Sequence, residues 1–291
     1  MRIFSPLPGE YIASALKRGN ELLGIQPLSI DEFYIKSAPR GPAGLSRNSR
    51  TLRTEWREQA EFEFPPLFTK YNIEEHVLKN NTLYPLYSAL GRTRTIINVT
   101  PAKWTRICPD CVREDYEAHG CAFVHTRHVE AFVRLCSTHA TALLEECPYC
   151  TVPIRKHGIA KLGFCGRNYE RFEQYHSSRE HQYAKFIAGL LNYRGEMVEP
   201  DIAGWLVHDS TWVQYSKEIN LRQMHLDVPK IINRELGVEI KPSSSGGVPY
   251  NAFPLEAFIG CMTSEHYLDL LDSGRAQEVL RVKAGQIRGY E

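Results

Sequence analysis

The sequence lacks a strong charge of either sign and an apolar run long enough to cross a membrane. Its formal net charge is +1, so bulk attraction to phosphate is excluded and any nucleic-acid surface must be local. No apolar run approaches the ~20 residues of a membrane-spanning helix. Pro6, Pro8 and Glu10 stand where a secretory signal would have its apolar core. We therefore expect a cytoplasmic protein in a reducing environment.

Signs of catalysis are also missing. The sequence has no phosphate-binding glycine loop, nucleophile arrangement or isolated carboxylate pair, which predicts a protein that is not an enzyme. His119, His125 and His128 suggest one alternative, an HNH-type nuclease, in which a histidine activates water beside a catalytic metal. No Asp-His pair or compact His-Asn-His arrangement accompanies them, which argues against a nuclease.

What the chain does have is a run of metal-ligand pairs. All but one of its eight cysteines lie between positions 108 and 165. Two ligand residues separated by two others can direct both side chains toward one tetrahedral metal ion. We predict a first, structural zinc site at Cys108, Cys111, Cys136 and His139. Three thiolates and one imidazole fill the coordination shell and leave no position for a substrate water.

Closely spaced cysteines also serve as redox dithiols or as disulfide partners. A redox dithiol normally stands alone at the start of a helix, whereas here the pairs follow one another. A disulfide framework would need a secretory signal, and the spacings are those of zinc knuckles. Both alternatives are weaker than zinc.

A second zinc site is incomplete in the sequence. Cys147 and Cys150 form its first pair, and a short hairpin with Gly158 in its turn is predicted to lead to Cys165. Asn168 stands where the fourth ligand belongs. The fourth ligand is therefore unassigned, and the alternative is a degenerate ribbon held by packing alone.

Two histidines were weighed as the missing ligand. His157 lies at the predicted hairpin tip, where an extended chain rising ~3.3 Å per residue puts it roughly 20 Å from the cysteine pairs. We therefore expect His157 not to bind this metal. His176 would have to fold back onto the site.

The N-terminal part is predicted to be helical. An apolar stripe runs from Glu10 to Leu23 and ends at Gly24. Ser29 followed by Glu32 is a capping-box pattern that starts a second helix near residue 30. The pair is either a helix-turn-helix or simply two packed helices.

Further helices are expected before and after the cysteine-rich segment. Asn72 with Glu75 repeats the capping pattern, and Leu83, Leu86 and Leu90 are predicted core residues. In the C-terminal part, Ser177 with Glu180 caps a helix with an apolar stripe through Leu191. Later helices are predicted at Asp201–Val207, Ser210–Leu221 and Val228–Leu236, and one or two more within Pro254–Asp272, with a loop at Ser243–Gly247 and a buried Cys261.

Basic residues cluster in two places. One cluster follows the glycine- and proline-rich segment 39–49 and shares a helical face; it consists of Arg47, Arg50, Arg53 and Arg57. The other overlaps the second predicted zinc site and consists of Arg155, Lys156, Lys161, Arg167 and Arg171. Each is either a solvated face or a row of DNA phosphate contacts.

These observations predict a mostly α-helical fold that contains a small zinc-ribbon or zinc-finger unit. The predicted domains are a helical 1–100 with a candidate helix-turn-helix, a zinc-binding unit at 101–175 and a helical 176–291. The segments of the zinc unit between its ligands carry Val124, Val129 and Val133, which are expected to pack the pairs together.

Several segments resemble the TniQ/TnsD family of transposon target-selection proteins. They are W-T-R-I-C-P-D-C-V-R-E-D, G-C-A-F-V-H-T-R-H, R-L-C-S-T-H-A-T-A-L-L-E-E-C-P-Y-C, the opening F-S-P-L-P-G-E-Y-I-A-S-A-L-K-R-G, and N-T-L-Y-P-L-Y-S-A-L. The sequence departs from the family at His128, where members often have tryptophan, and at Asn168, where a cysteine is expected.

The resemblance implies a protein that binds a double-stranded DNA target site and recruits an AAA+ ATPase regulator, which engages the transposase. The zinc unit would be a scaffold, and the protein would lie at the nucleoid when on DNA. In the TnsD-like mode the protein reads the attachment site itself, and the segment Asn81–Leu90 favours this mode. In the other mode it is an adaptor between an RNA-guided effector complex and the ATPase, which the length of the chain favours.

Overall fold

The computed structural model describes residues 5–24, 74–91, 105–241, 248–249 and 252–280. Within these ranges the chain is mostly helical, and its only extended pairings are isolated bridges such as Ile107 with Leu144 and Thr141 with Gln174. The helices are α1 Ile12–Leu22, α2 Glu75–Asn81, α3 Tyr84–Ala89, α4 Pro109–His119, α5 Ile159–Gly166, α6 Arg179–Leu190, α7 Pro200–Gln214, α8 Met224–Leu236, α9 Phe253–Cys261 and α10 Ser264–Asp272. The predicted fold class is confirmed.

Helix α1 is anchored to the cysteine-rich part by its own N-terminal turn. Gly9 has a φ of +74°, a conformation that glycine adopts without strain. Its carbonyl accepts from the Thr126 amide at 2.9 Å, and the Tyr11 amide donates to the Val124 carbonyl at 2.8 Å. The first residues of the chain that the structure describes are therefore part of the packing around residues 124–126.

A buried ion pair holds this turn in shape. The Arg18 guanidinium donates to both carboxylate oxygens of Glu10, at 3.0 and 2.6 Å, and both side chains are almost fully buried. Glu10 also accepts from the Leu7 amide and the Ser14 hydroxyl. Because the remaining lone pairs of the carboxylate are used, the desolvation of this pair is compensated.

The helices before the cysteine-rich segment follow the predicted pattern. Leu83, Leu86 and Leu90 are buried, as expected. Glu74 stands at the N-cap position of α2 without a capping hydrogen bond from its side chain, while Asn72, which is predicted to cap the helix, lies outside the described residues. The second helix near residue 30 and the segment 39–57, with its four arginines, also lie outside them, as does Ser243–Gly247.

The cysteine-rich part contains a helix where a hairpin was predicted. Gly158 is the N-cap of α5, and Cys165 lies in the last turn of that helix. The prediction of a hairpin from Cys150 to Cys165 is therefore wrong. Gly158 through Gly166 mixes apolar residues with a helical rather than a two-residue repeat, which favours a helix over a hairpin. Val124, Val129 and Val133 are fully buried, as predicted.

The C-terminal helices differ from prediction mainly at their boundaries. The side chain of Ser178, and not Ser177, caps α6 by accepting from the His181 amide. In place of the two helices predicted between Asp201 and Leu221 there is one helix, α7, which ends at Gln214, so the segment from Tyr215 to Leu221 is not helical. The predicted segment Pro254–Asp272 divides into α9 and α10 at Met262, whose φ is +63°. Cys261 is buried, as predicted.

Polar contacts tie α6 to the cysteine-rich part. The Tyr183 hydroxyl donates to the buried Glu130 carboxylate at 3.0 Å, and that carboxylate also accepts from the Phe132 and Val133 amides. Burial raises the pKa of Glu130 to about 6. The His181 ring contacts the Ser137 carbonyl at 3.0 Å. The core is thus continuous from the cysteine-rich part into the C-terminal helices.

None of the described helices is long and apolar enough to cross a membrane.

Candidate metal centres

Four predicted ligands converge in the first cluster, which consists of Cys108, Cys111, Cys136 and His139. Cys108 is the N-cap of α4 and Cys111 lies in its first turn. Cys136 and His139 come from the turn that follows Leu135. The positive end of the α4 dipole therefore lies beside two of the sulfurs.

The distances within the first cluster fit a tetrahedral site. His139 Nδ1 lies 3.5 Å from Cys108 Sγ, 3.4 Å from Cys111 Sγ and 3.6 Å from Cys136 Sγ. Cys111 Sγ and Cys136 Sγ are 3.6 Å apart. Zinc–sulfur bonds of about 2.3 Å and zinc–nitrogen bonds of about 2.0 Å at tetrahedral angles would place such atoms about 3.5 to 3.8 Å apart. The four donors fit a zinc ion.

The imidazole of His139 is oriented by an acid. Its Nε2 lies 2.9 Å from Glu114 Oε1, at the middle of α4. A proton held on Nε2 by this carboxylate leaves Nδ1 unprotonated and facing the sulfurs, the arrangement typical of a metal-bound histidine. Arg127 donates to Cys111 Sγ at 3.3 Å and adds a positive charge beside the thiolates.

His128, the departure from the family pattern, lies directly against the first cluster. Its Nε2 is 3.4 Å from Cys136 Sγ, and the ring is fully buried. Burial lowers the pKa of His128 to about 4, so the ring is neutral and can donate one hydrogen bond to a thiolate. This histidine supports a ligand sulfur.

His157 completes the second cluster. The structure brings together Cys147, Cys150, His157 and Cys165 with their ligand atoms within 4.8 Å of one another. His157 Nε2 is 3.4 Å from Cys165 Sγ, and Cys150 Sγ is 4.0 Å from the same sulfur. The expectation that His157 lies roughly 20 Å away is therefore wrong. His176 instead contacts Gln174 on the surface.

The error has a simple physical origin. The chain after Pro153 is folded into a turn, in which the Lys156 and His157 amides both donate to the Pro153 carbonyl, and then enters α5. A helix rises only about 1.5 Å per residue, and side chains near its C-terminal end point back toward its N-terminal end. The side chain of Cys165, in the last turn of α5, therefore reaches His157, which lies just before the start of that helix.

His157 is oriented by the backbone and by α1. Its Nδ1 lies 2.8 Å from the Gly158 carbonyl, which holds a proton there and leaves Nε2 free to bind. Lys17 of α1 donates to the carbonyls of Arg155 and His157 at 3.1 and 2.6 Å. Glu21, one turn later, accepts from the Ala160 amide at 3.0 Å. We call Lys17 and Glu21 the α1 clamp.

The two clusters share one turn geometry. After Cys136 and after Cys147, the fourth residue along has a positive φ, +54° at Ala140 and +59° at Thr151. In each turn the amide of that residue donates to the carbonyl of the cysteine, at 2.9 and 2.8 Å. The repeated conformation indicates two zinc knuckles of the same kind.

The ligand thiols of each cluster lie close enough to shift one another's pKa. The neighbouring Cys108 and Cys136 sulfurs, together with burial, raise the pKa of Cys111 far above its ordinary value. Burial and the sulfurs of Cys147 and Cys150 raise the pKa of Cys165 to about 12. A bound divalent ion would reverse this penalty, because coordinated thiols are deprotonated outright.

Helices α4 and α5 hold the two clusters side by side. A methyl group at Gly163 would lie 1.9 Å from the Tyr116 ring, and one at Gly166 would lie 2.4 Å from Val112. The two glycines therefore let α5 approach α4 closely. Since α4 carries Cys108 and Cys111 and α5 carries Cys165, this contact fixes one cluster relative to the other.

Among known protein families, the TniQ family matches residues 2–143. The chain carries a TniQ domain. This match agrees with the resemblance in the sequence to the TniQ/TnsD family, whose members are non-enzymatic transposition-targeting proteins. The protein is thus transposition-associated. A search of curated proteins found no match.

The TniQ match includes every ligand of the first cluster and ends before Cys147. The second cluster nevertheless packs against the TniQ domain through the α1 clamp and through the α4–α5 contact. In the sequence, the feature that could have identified His157 as a ligand is its position directly before Gly158, the N-cap of the helix that carries Cys165.

The second basic group surrounds the second cluster. Arg155, Lys156, Lys161, Arg167 and Arg171 are all exposed. Within the described residues, none of the five has an ion pair with a carboxylate, and Arg167 packs on the Tyr116 ring. The structure thus leaves these cations available to solvent or to a ligand, whereas the first basic group lies outside the described residues.

Proposed function

We propose that this protein is a target-selection subunit of a transposition machinery. It binds double-stranded target DNA and recruits an AAA+ ATPase regulator, which engages the transposase. The observation that carries the proposal is the TniQ match over residues 2–143. The two four-donor clusters support it, because each would fill the coordination shell of a structural zinc ion and leave no open position for a substrate water. Such clusters would hold the surface residues around them in place.

Zinc is the metal that the donor sets favour. Each cluster offers three sulfurs and one imidazole nitrogen, and this soft, four-coordinate set suits zinc in a structural role. Cys108, Cys111, Cys136 and His139 would hold one ion, and Cys147, Cys150, His157 and Cys165 would hold the other. Bound zinc would supply folding free energy and no reaction chemistry.

The exposed cations around the second cluster are the proposed DNA contacts within the described residues. They have no acidic partners there, so phosphate binding would not first have to break an ion pair. Phosphate contacts position a protein on DNA without reading its sequence. Arg47, Arg50, Arg53 and Arg57 are proposed as a second set on the basis of their spacing alone.

The ATPase contact is proposed for the N-terminal hundred residues. The structure restricts how this can be tested, because α1 is buried against residues 124–126 and against the loop before α5. Removing residues 1–60 would expose that core. Replacing the four arginines of the first basic group by alanine leaves α1 in place, and measuring both co-purification with the ATPase and binding to DNA then shows which of the two ligands these arginines contact.

Footprinting on DNA that flanks the insertion site, with and without the ATPase, tests the function directly. A discrete footprint by the protein alone is the expected result. Absence of a footprint together with retention of a guide-RNA complex in a pull-down would instead identify an adaptor to an RNA-guided effector. If the protein gives no footprint and retains no guide-RNA complex even when the ATPase is present, target selection is contradicted.

A further inference from the structure

The outer face of α5 presents an aromatic ring between two cations. Lys161, Phe164 and Arg167 are spaced three residues apart, so they follow one another along one side of the helix. All three are exposed, and 59% of the Phe164 side chain is open to solvent. A single exposed apolar residue is ordinary on a protein surface; what distinguishes Phe164 is its place between two cations on one helix face, the combination that single-strand binding sites use.

Arg167 is held in place beside this ring. Its guanidinium carbon lies 4.5 Å from the centre of the Tyr116 ring and 5.9 Å from that of Phe164. It also donates to the Tyr116 hydroxyl at 3.0 Å. Tyr116 in turn rests on Gly163, where no side chain larger than hydrogen fits. The cation is therefore ordered by aromatic contacts, which leave its charge unneutralised.

A groove of about 400 Å³ between α4 and α5 adjoins Arg167 and Tyr116. Its other lining residues are Arg113, Glu117 and Gly163. Arg113 is already paired with Asp110, and Glu117 makes part of the groove acidic. Arg167 is therefore the cation left to bind an anionic group at this edge, and the groove has room for one phosphate.

We propose that this face of α5 binds an unpaired nucleotide of single-stranded DNA, with the base stacked on Phe164 and the phosphates on its two sides bound by Arg167 and Lys161. The inference rests on the proposed function in taking DNA as the ligand, and it adds a second mode of binding. Single-strand sites combine cations that follow the backbone with aromatic rings on which bases stack.

A duplex does not explain the same arrangement. In double-stranded DNA the base faces are covered by their neighbours, so a ring placed among phosphate-binding cations would meet only the sugar-phosphate backbone. Lys161 and Arg167 could bind such a backbone without Phe164. The exposed ring distinguishes the two ligands, and the experiment depends on it.

The test compares binding of a fluorescein-labelled oligo-dT and of a labelled duplex of equal length by fluorescence anisotropy, at several salt concentrations. Phe164→Ala is expected to weaken oligo-dT binding about tenfold, as for the loss of one stacked base, and to leave duplex binding unchanged. Arg167→Gln is expected to weaken both and to reduce the salt slope for oligo-dT by about 0.7.

Matched variants are available on α7 and just beyond it. Val213→Ala removes an equally exposed apolar side chain, and Lys217→Ala removes an exposed cation; both lie away from α5. Neither is expected to change oligo-dT binding. Metal content of every variant, measured by elemental analysis, reports whether the second cluster next to Phe164 remains intact.

The outcomes separate this inference from the proposed function. Unchanged oligo-dT binding in Phe164→Ala, with duplex binding still weakened by Arg167→Gln, would overturn the stacking site and leave target-DNA binding in place. Oligo-dT binding that depends on Phe164, with no duplex binding at any salt concentration, would support the stacking site and contradict target-DNA binding. If the protein binds neither oligo-dT nor the duplex, the stacking site and target-DNA binding are both contradicted.

Discussion

The two metal clusters have the same donors but are stabilised by different means. In the first, the three cysteines are almost fully buried and the histidine is oriented by the Glu114 side chain from the helix that also carries Cys108 and Cys111. In the second, Cys150 and Cys165 are half-buried, and the histidine is oriented by the Gly158 carbonyl. The first cluster is built locally, whereas the second depends on α1, more than a hundred residues earlier.

This difference predicts that the clusters will respond differently to substitution. Removing a ligand from the first should disrupt the fold, because its residues lie in the core. Removing one from the second should release metal from a unit that other contacts still hold.

The largest effect is expected for Cys136→Ser. Binding free energy at structural zinc sites is folding free energy, on the order of 10 kcal/mol, so loss of this buried ligand should unfold the cysteine-rich part and release its metal. Circular dichroism and elemental analysis measure both. Cys121→Ser is the control, because Cys121 belongs to neither cluster, and it should keep two metal ions per chain. Full metal content and a native spectrum in Cys136→Ser would contradict the assignment.

His157→Ala should reduce the metal content from two ions per chain to one without unfolding the protein. Only three sulfurs would remain, and two of them, those of Cys150 and Cys165, are half-buried, so the ion is lost while the first cluster keeps its own. Elemental analysis after dialysis against a weak chelator provides the measurement. His176→Ala, in which the alternative histidine is removed, should retain two ions. Loss of one ion in His176→Ala, with two ions retained in His157→Ala, would identify His176 as the ligand.

Glu114→Ala should weaken metal binding at the first cluster only. Loss of a carboxylate that orients a ligand histidine typically costs 10- to 100-fold in metal affinity. Competition with a chromophoric chelator would show one weakened and one unchanged ion. Glu117→Ala, on the same helix but without a contact to His139, is the control. Equal release of both ions would mean that the clusters are not independent.

The smallest effect is expected for Lys17→Met, which removes the α1 clamp from the carbonyls of Arg155 and His157 but keeps an apolar stem of similar length. Two hydrogen bonds are lost, each worth about 1 kcal/mol, so affinity at the second cluster should fall about tenfold or more while the first stays unchanged. Chelator competition again resolves the two ions, and Lys217→Met controls for the lost charge. A change confined to the first cluster would refute the clamp.

The features of the fold and of the site that depend on the spacing of nearby residues could be predicted from the sequence. The ligands of the first cluster come in pairs separated by two residues, and the structure brings all four together. The helical stripe that became α1 and the buried leucines of α3 were likewise predicted, because an amphipathic repeat determines which face is buried.

The second cluster could not be completed in the same way. His157 belongs to no pair, and its approach to Cys165 depends on a turn, a short helix and the α1 clamp acting together. The extended rise assumed between Cys150 and Cys165 was the wrong geometry for that segment. Boundaries such as the undivided α7 were missed for a related reason, since packing against α9 rather than local propensity decides whether a helix continues.

The contact between α5 and its neighbours has a practical consequence for anyone who expresses a fragment. A polypeptide cut where the TniQ match ends, after residue 143, would lack the helix that covers Val112 and Tyr116, and the amides and carbonyls that satisfy Lys17 and Glu21. It would also lose Tyr183, which donates to the buried Glu130. Such a fragment would carry all four ligands of one metal ion and still be expected to aggregate, whereas one extended through Leu190 would include these partners.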